Sequence, residues 1–224
     1  MSSNAFSPCE YDLKIRRTVP YYDEMLSQIT ALLKAFNKDA LRWLDIGCGT
    51  GALEEAMLSD GTAEIERLVM CDISDGMLEV SRNRLSALGY NAELIKRSAL
   101  ELDYSGGFNA VTSVMVNHYF SRDERMSALK RCRNALDENG VFILFENIRP
   151  RTFANERLFL DMWRDFQLKK GKSPGEADKH IERFSTEYFP VTAAEHIALL
   201  DNCGFRKVET VWTSYMQAGF MGIK

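Results

Sequence analysis

Between residues 42 and 147 the chain alternates short apolar runs with longer stretches in which apolar residues recur every three or four positions. A short apolar run fits a strand covered on both faces, and the three-to-four spacing fits an amphipathic helix. The predicted strands are "RWLDIG" (42–47), "IERLVMCDI" (65–73), "NAELIKR" (91–97), "FNAVTSVMV" (108–116) and "VFILFEN" (141–147). The predicted helices between them are "ALEEAML" (52–58), the segment from Ser74 to Gly89, and "SRDERMSALKRCRNAL" (121–136). Ser74, Asp75 and Ser121 are N-cap candidates, and Gly89 is a helix stop. "SDGTA" (59–63) reads as a loop and "ENG" (138–140) as a turn. Strands alternating with helices of this length imply right-handed crossovers and a parallel sheet.

Outside that stretch the pattern changes. "YYDEMLSQITALLKAF" (21–36) has apolar residues at helical spacing, and the segment 1–40 reads as a helical lid. "RTFANERLFLDMWRDFQLKKG" (151–171) and "SPGEADKHIERFSTEY" (173–188) read as helices broken around Gly171–Pro174. "TAAEHIALLDNCG" (192–204) is a helix capped by Thr192 and ended by Gly204, and the tail reads as two strands around a short connection. No repeat or linker divides the chain, so a single domain is expected. Its parts are a lid (1–40), a cofactor-binding core (41–150), a helical insertion (151–191), and a last helix with the final strands (192–224).

Composition narrows the function. A net charge of −4 lacks the basic excess of a nucleic-acid binder, so nucleic acid is not an expected partner. No apolar run approaches the ~20 residues of a membrane helix, and "MSSNAFSPCEYDLKIRR" has no apolar signal core. The chain is therefore expected in the cytoplasm. The five cysteines are scattered without a C-x-x-C pair, which suits reduced thiols, and the three histidines lie too far apart in sequence to suggest a metal site. The basic clusters at 14–17, 130–133 and 169–172 read as solvated helix faces or termini.

The chemistry concentrates in "WLDIGCGTG" (43–51). Strand, glycine turn and helix make a nucleotide-binding signature, and Gly47, Gly49 and Ala52 satisfy the relaxed dinucleotide pattern. Asp45 argues against a dinucleotide, because a carboxylate at the strand's end repels a nearby pyrophosphate. It suits a ligand with an ammonium and a sulfonium and no phosphate, which describes S-adenosylmethionine. Asp72 ends the second strand, where a carboxylate accepts hydrogen bonds from a ribose diol.

With these residues in view, "LDIGCGTG" followed by "VMCDIS" resembles the class I, Rossmann-like S-adenosylmethionine-dependent methyltransferases. The resemblance runs over nearly the whole chain. It implies an α/β fold: a seven-stranded, mostly parallel sheet with an antiparallel last strand, helices on both faces, and a helical lid from the N-terminus and from the insertion after the fifth strand. "RRTVPYYDEML", "GKSPGE" and the final F-x-x-x-K are similar to the carboxy-S-adenosylmethionine synthase group, whose carboxylated cofactor serves tRNA wobble-uridine modification. By that similarity Tyr22 covers the cofactor; Gly47, Cys48 and Gly49 line its methionine part; and Asp72, Ile73 and Met77 flank the ribose and adenine. Ser98 and Ala99 then lie by the adenine, and Val114 at the end of the fourth strand. Two departures stand out. Ser98 occupies a position where the family has aspartate. The arginine that holds the extra carboxylate in the synthase group falls, counted without gaps, on Ile181, two residues from Arg183. Plain methyl transfer is the preferred reading.

On the acceptor side, His118 and Tyr119 follow the fourth strand and Glu146 ends the fifth, placing them as catalytic candidates; a capping role is the plainer reading of Glu146. Trp163, His180 and Tyr188 read as packing of the insertion, and Tyr11 and Tyr21 as lid or core aromatics. The expected activity is methyl transfer to a small-molecule acceptor by in-line displacement, in a chain that forms a homodimer. The alternatives are a carboxy-S-adenosylmethionine synthase or RNA-modification-related enzyme, an NAD-dependent oxidoreductase, and a non-catalytic adenosyl-binding protein.

Overall fold

The computed structural model describes residues 7–36, 40–59, 61–62 and 64–224. Residues 60 and 63 of the expected loop, and 1–6 and 37–39 of the expected lid, lie outside the described residues. Helices α1 (Tyr11–Arg16) and α2 (Tyr22–Phe36) precede β1 (Leu41–Ile46), α3 (Ala52–Leu58), β2 (Ile65–Asp72), α4 (Asp75–Ala87), β3 (Glu93–Lys96) and β4 (Phe108–Val114). Then come α5 (Arg122–Ala135), β5 (Leu136–Asn147), α6 (Phe153–Lys169), α7 (Pro174–Ile181), α8 (Ala193–Asn202), β6 (Arg206–Ser214) and β7 (Gln217–Ile223).

The sheet runs in the order β3-β2-β1-β4-β5-β7-β6. The first five strands are parallel, and β7 is antiparallel to both its neighbours. The period of two sorts side chains to the two faces. Leu41 and Trp43 of β1 join α2, α3 and α4 on one face, while Leu44 and Ile46 join α5 and α8 on the other. Both faces are thus covered, which explains the continuous apolar runs.

Local chemistry sets the helix boundaries. Ser121 with Glu124, Ser173 with Glu176 and Thr192 with Glu195 form reciprocal capping boxes, and the Ser74 hydroxyl accepts from the Met77 N–H. Two expectations are corrected. "ENG" is not a turn between elements, because β5 starts at Leu136. The strand bulges there instead: Phe108 pairs with Leu136, and Ala110 pairs next with Val141. The helix expected over 173–188 stops at Ile181. Phe184 and Tyr188 then fold back into a cluster with Trp163, which burial outside a straight helix allows.

The excursion carrying α6 and α7 leaves and returns at one point. Ile148 and Val191 form a parallel bridge, and the Arg149 N–H donates to the Val191 carbonyl at 3.0 Å. The Trp163 indole N–H donates to the Thr18 carbonyl at 2.6 Å, joining the excursion to the segment between α1 and α2. No helix among the described residues is long and apolar enough to cross a membrane.

Candidate cofactor and acceptor cleft

β1 ends at Ile46 and turns through Gly47–Gly51 into α3. The Gly47 and Cys48 N–H groups both donate to the Cys71 carbonyl, at 2.8 and 3.0 Å, which pins the turn to β2. Gly47 sits at φ +71°, and a Cβ there would lie 2.2 Å from Val116 Cγ2. Gly49, at φ +54°, has nothing within 4 Å of where a Cβ would stand, so the loop faces open space. Asp72, at the end of β2, accepts from the Gly49 N–H at 3.0 Å and the Ser74 N–H at 2.8 Å. Burial raises its carboxyl, and these N–H groups oppose the rise.

Three cavities meet over the strand ends, and Tyr11 of α1 lines all of them. The first, about 110 Å³, is bounded by Asp72, Ile73, Met77, Ser98 and Ala99, with Gly47 and Gly49 on one side and Tyr119 on the other. A carboxylate next to an apolar slot with hydroxyl and backbone groups fits an adenosine. The second, about 30 Å³, is bounded by Tyr22, Asp45, Cys48 and Val114 together with the same two glycines. Among the described residues lining it there is no lysine or arginine. A buried carboxylate without a cation fits an ammonium and opposes a pyrophosphate.

Asp45 accepts from the Thr112 hydroxyl, which in turn accepts from the Trp43 indole N–H at 2.7 Å. Burial raises the Asp45 carboxyl to about 6, against hydrogen bonds from Thr112 and Glu54 that lower it. Burial also pushes the Cys48 thiol well above its ordinary value, so it is no nucleophile. Ser98 spends its hydroxyl as the cap of a short turn, accepting from the Leu100 N–H at 3.2 Å.

The third cavity, about 60 Å³, lies beyond β4 and β5 and is lined by His118, Tyr119, Trp163, His180, Arg183 and Tyr188. Glu146 lines none of the three. It is fully buried beneath the turn after β4, where it accepts from the N–H groups of Val116, Asn117 and His118 at 3.1, 2.7 and 3.1 Å. It also accepts from the Asn117 side-chain amide at 3.4 Å and meets the His118 ring, with Nδ1 2.5 Å away. Burial alone would raise the Glu146 carboxyl, but His118, His196 and the Asn117 N–H together hold it below the ordinary value. Glu146 holds the His118 ring through Nδ1, so Nε2 is the ring nitrogen that Glu146 does not engage. Burial, with Lys172 and Arg183 nearby, keeps His180 neutral, and its Nδ1 has no hydrogen-bond partner among the described residues.

Every cofactor residue expected from the sequence lines the first or second cavity, and His118 and Tyr119 line the third. Tyr21 is exposed, with its ring 6.4 Å from that of Tyr215, and lines none of them. Other wall residues have no motif. Met115, at φ +59°, lines the second and third cavities. Val116 and Arg97 line the first, with Arg97 held by Asp103 at 2.6 Å. Arg183, donating to Glu187 at 2.7 Å, lies in the third cavity, while Ile181 packs against the Trp163 cluster.

The sequence matches a methyltransferase domain family over residues 44–140. It is 27% identical over 216 residues to a carboxy-S-adenosyl-L-methionine synthase of Nautilia profundicola, covering 96% of this chain and 90% of that one. It is 24% identical to the enzyme of the same name from Methylococcus capsulatus, covering 96% and 89%. Among solved structures, magnesium protoporphyrin IX methyltransferase from Synechocystis, with S-adenosylmethionine bound, superposes with a TM-score of 0.63 at 14% identity, covering all of both chains. The PH0226 protein of Pyrococcus horikoshii superposes with a TM-score of 0.65 at 19% identity, covering 93% of each.

Proposed function

We propose that this chain, which belongs to the class I, Rossmann-like S-adenosylmethionine-dependent methyltransferases, transfers the methyl group to a small-molecule acceptor seated in the third cavity, with His118 as general base. The observation that carries this reading is the buried His118–Glu146 pair at the wall of a cavity that shares Tyr11, Met115 and Tyr119 with the other two. S-adenosylmethionine, when bound, supplies a methyl group already activated by a positive sulfur. Asp72 holds the ribose, Asp45 the ammonium, and the glycine loop passes close to the methionine part. Glu146 fixes the His118 ring, and Nε2 takes the proton from an acceptor hydroxyl or amine in the third cavity. Tyr11 and the aromatic wall exclude water. Alignment of this kind contributes ~7–11 kcal/mol and a positioned base a further ~10²–10⁴-fold.

A second reading, production of a carboxylated cofactor, is favoured by Arg183. Its guanidinium stands in the third cavity, where the unshifted count puts Ile181. Native mass spectrometry of the purified protein, followed by denaturing analysis of what it releases, separates the two. S-adenosylmethionine or its demethylated product supports methyl transfer. A ligand heavier by a carboxyl group supports the second reading and removes the first. A nicotinamide dinucleotide sinks both.

We also propose a cytoplasmic homodimer. Unpaired cysteines at 9, 48, 71, 132 and 203 support a reducing compartment. The exposed apolar residues Phe153, Leu158 and Met162 on α6 support a second copy. Cell fractionation and sedimentation velocity test the two points; a soluble monomer at micromolar concentration removes the second.

A further inference from the structure

Glu54 lies in the first turn of α3, in the run "GALEEAM", where its neighbour Glu55 is exposed and it is not. Its side chain is fully buried, and neither carboxyl oxygen has a donor among the described residues. The side chain within reach is Asp45, itself a carboxyl, and the other nearby group is Glu54's own N–H. Two carboxyls can hydrogen-bond only if one holds a proton. Asp45 already accepts from Thr112, itself fed by the Trp43 indole, so Asp45 is the acceptor and Glu54 the donor. Asp45 also lines the second cavity, whereas Glu54 lines none of the three. Around the pair stand Asp72 and Cys71 from β2, Cys48 from the loop, Tyr22 from α2 and Arg84 from α4. Arg84, the cation acting on Glu54 among the described residues, is already engaged by Asp12, Thr50 and Glu55.

We infer that Glu54 is a positioning residue for the cofactor: a buried, protonated carboxyl that donates to Asp45 and so leaves Asp45 as the single charged acceptor for the cofactor's ammonium. The inference rests on the placement of the methionine end in the second cavity. Its consequence is that capture of an amino-acid-bearing adenosyl ligand gains an acid limb from Asp45 that capture of the adenosyl part alone, which meets Asp72, does not have. When Asp45 takes up a proton, near pH 6, the ammonium loses its partner. With the donor at 54 removed, Asp45 holds its proton to higher pH.

The test is calorimetric titration from pH 5 to 8 with two probes, S-adenosylhomocysteine and 5′-methylthioadenosine, which share the adenosine but not the amino acid. In the unaltered protein the first weakens about tenfold per pH unit below 6, as expected for one required ionisation, and the second lacks this limb. Glu54→Leu removes the donor, so S-adenosylhomocysteine is roughly five- to tenfold weaker at pH 7 and its acid limb moves up by about one pH unit. Glu54→Gln keeps an N–H donor and restores the original profile. Three outcomes overturn the inference. Glu54→Leu keeps the original profile; or Glu54→Gln fails as Glu54→Leu does, which makes Glu54 a second anion; or 5′-methylthioadenosine weakens in parallel, which makes the role purely structural. Asp45→Asn is the separate control. If it leaves the preference for S-adenosylhomocysteine intact, the placement of the cofactor has failed, whatever Glu54 does.

Discussion

The two ends of the cleft are built from different materials. The end proposed for the cofactor is organised by backbone: glycine turns at positive φ and N–H groups tied to the Cys71 carbonyl and the Asp72 carboxylate. The end proposed for the acceptor is made of side chains from five separate segments, namely α1 with the residues up to Val19, the turn after β4, the end of β5, α6 and the stretch from α7 to Tyr188. Backbone sites tolerate little, because every group is spoken for by the fold. Side-chain sites are held by packing and can be altered one contact at a time.

The strongest challenge to that comparison is Gly47→Ala. A Cβ driven into Val116 at a positive φ is expected to destabilise the fold by about 2–5 kcal/mol and to abolish S-adenosylhomocysteine binding, read by thermal melting and calorimetry. Binding within a few-fold of the unaltered protein would mean that the backbone end is softer than described. His118→Ala makes the opposite cut: turnover falls by ~10²–10⁴-fold while cofactor affinity changes by less than about threefold, because the ring belongs to the acceptor end. Loss of cofactor affinity with turnover per bound complex intact would merge the two ends.

Trp163→Phe leaves the Thr18 carbonyl without its donor and costs about 1–2 kcal/mol in chemical denaturation, with no change at the cofactor end. The pH dependence of the unliganded protein gives a comparable effect. Asp45 holds its proton more tightly folded than unfolded, so its contribution favours folding at low pH. That contribution is lost as pH rises from the ordinary carboxylate range through about 6. Calorimetric scans should show this loss in the unaltered protein and a smaller one in Asp45→Asn. The smallest effect belongs to Asp12→Asn, which loosens the partly exposed contact of α1 with Arg84 and Thr50. It should cost about 0.2–1 kcal/mol and speed cofactor release modestly, seen in stopped-flow displacement.

The same contrast explains what the sequence reveals. The strands, the caps at Ser74, Ser121 and Thr192, the glycine loop and Asp72 are legible because each is encoded within a few adjacent residues. The acceptor end is not. Tyr11 reads as an ordinary helix aromatic, and only tertiary packing carries it into three cavities. Arg183 lines the third cavity although no motif marks it, because α7 ends at Ile181 and the following turn re-aims the chain. Met115 reads as strand and is instead a left-handed residue past the strand's end. Glu54 looks like surface acid in an acidic helix, since nothing local distinguishes it from Glu55. The bulge at 138–140 reads as a turn because a turn and a bulge use the same residues.

The bridge between Ile148 and Val191 has a consequence for how such a protein diversifies. The excursion it closes is anchored at adjacent points on a finished scaffold, so a replacement of another length meets nearly the same two attachment points. Closing a longer excursion costs only about 0.6 kcal/mol for each doubling of its length. β5 and β7 pair without interruption from Val141–Ile223 to Asn147–Gln217. Trp163, His180, Arg183 and Tyr188 therefore sit on an exchangeable cassette: descent can rewrite this wall of the third cavity while the glycine loop is inherited whole.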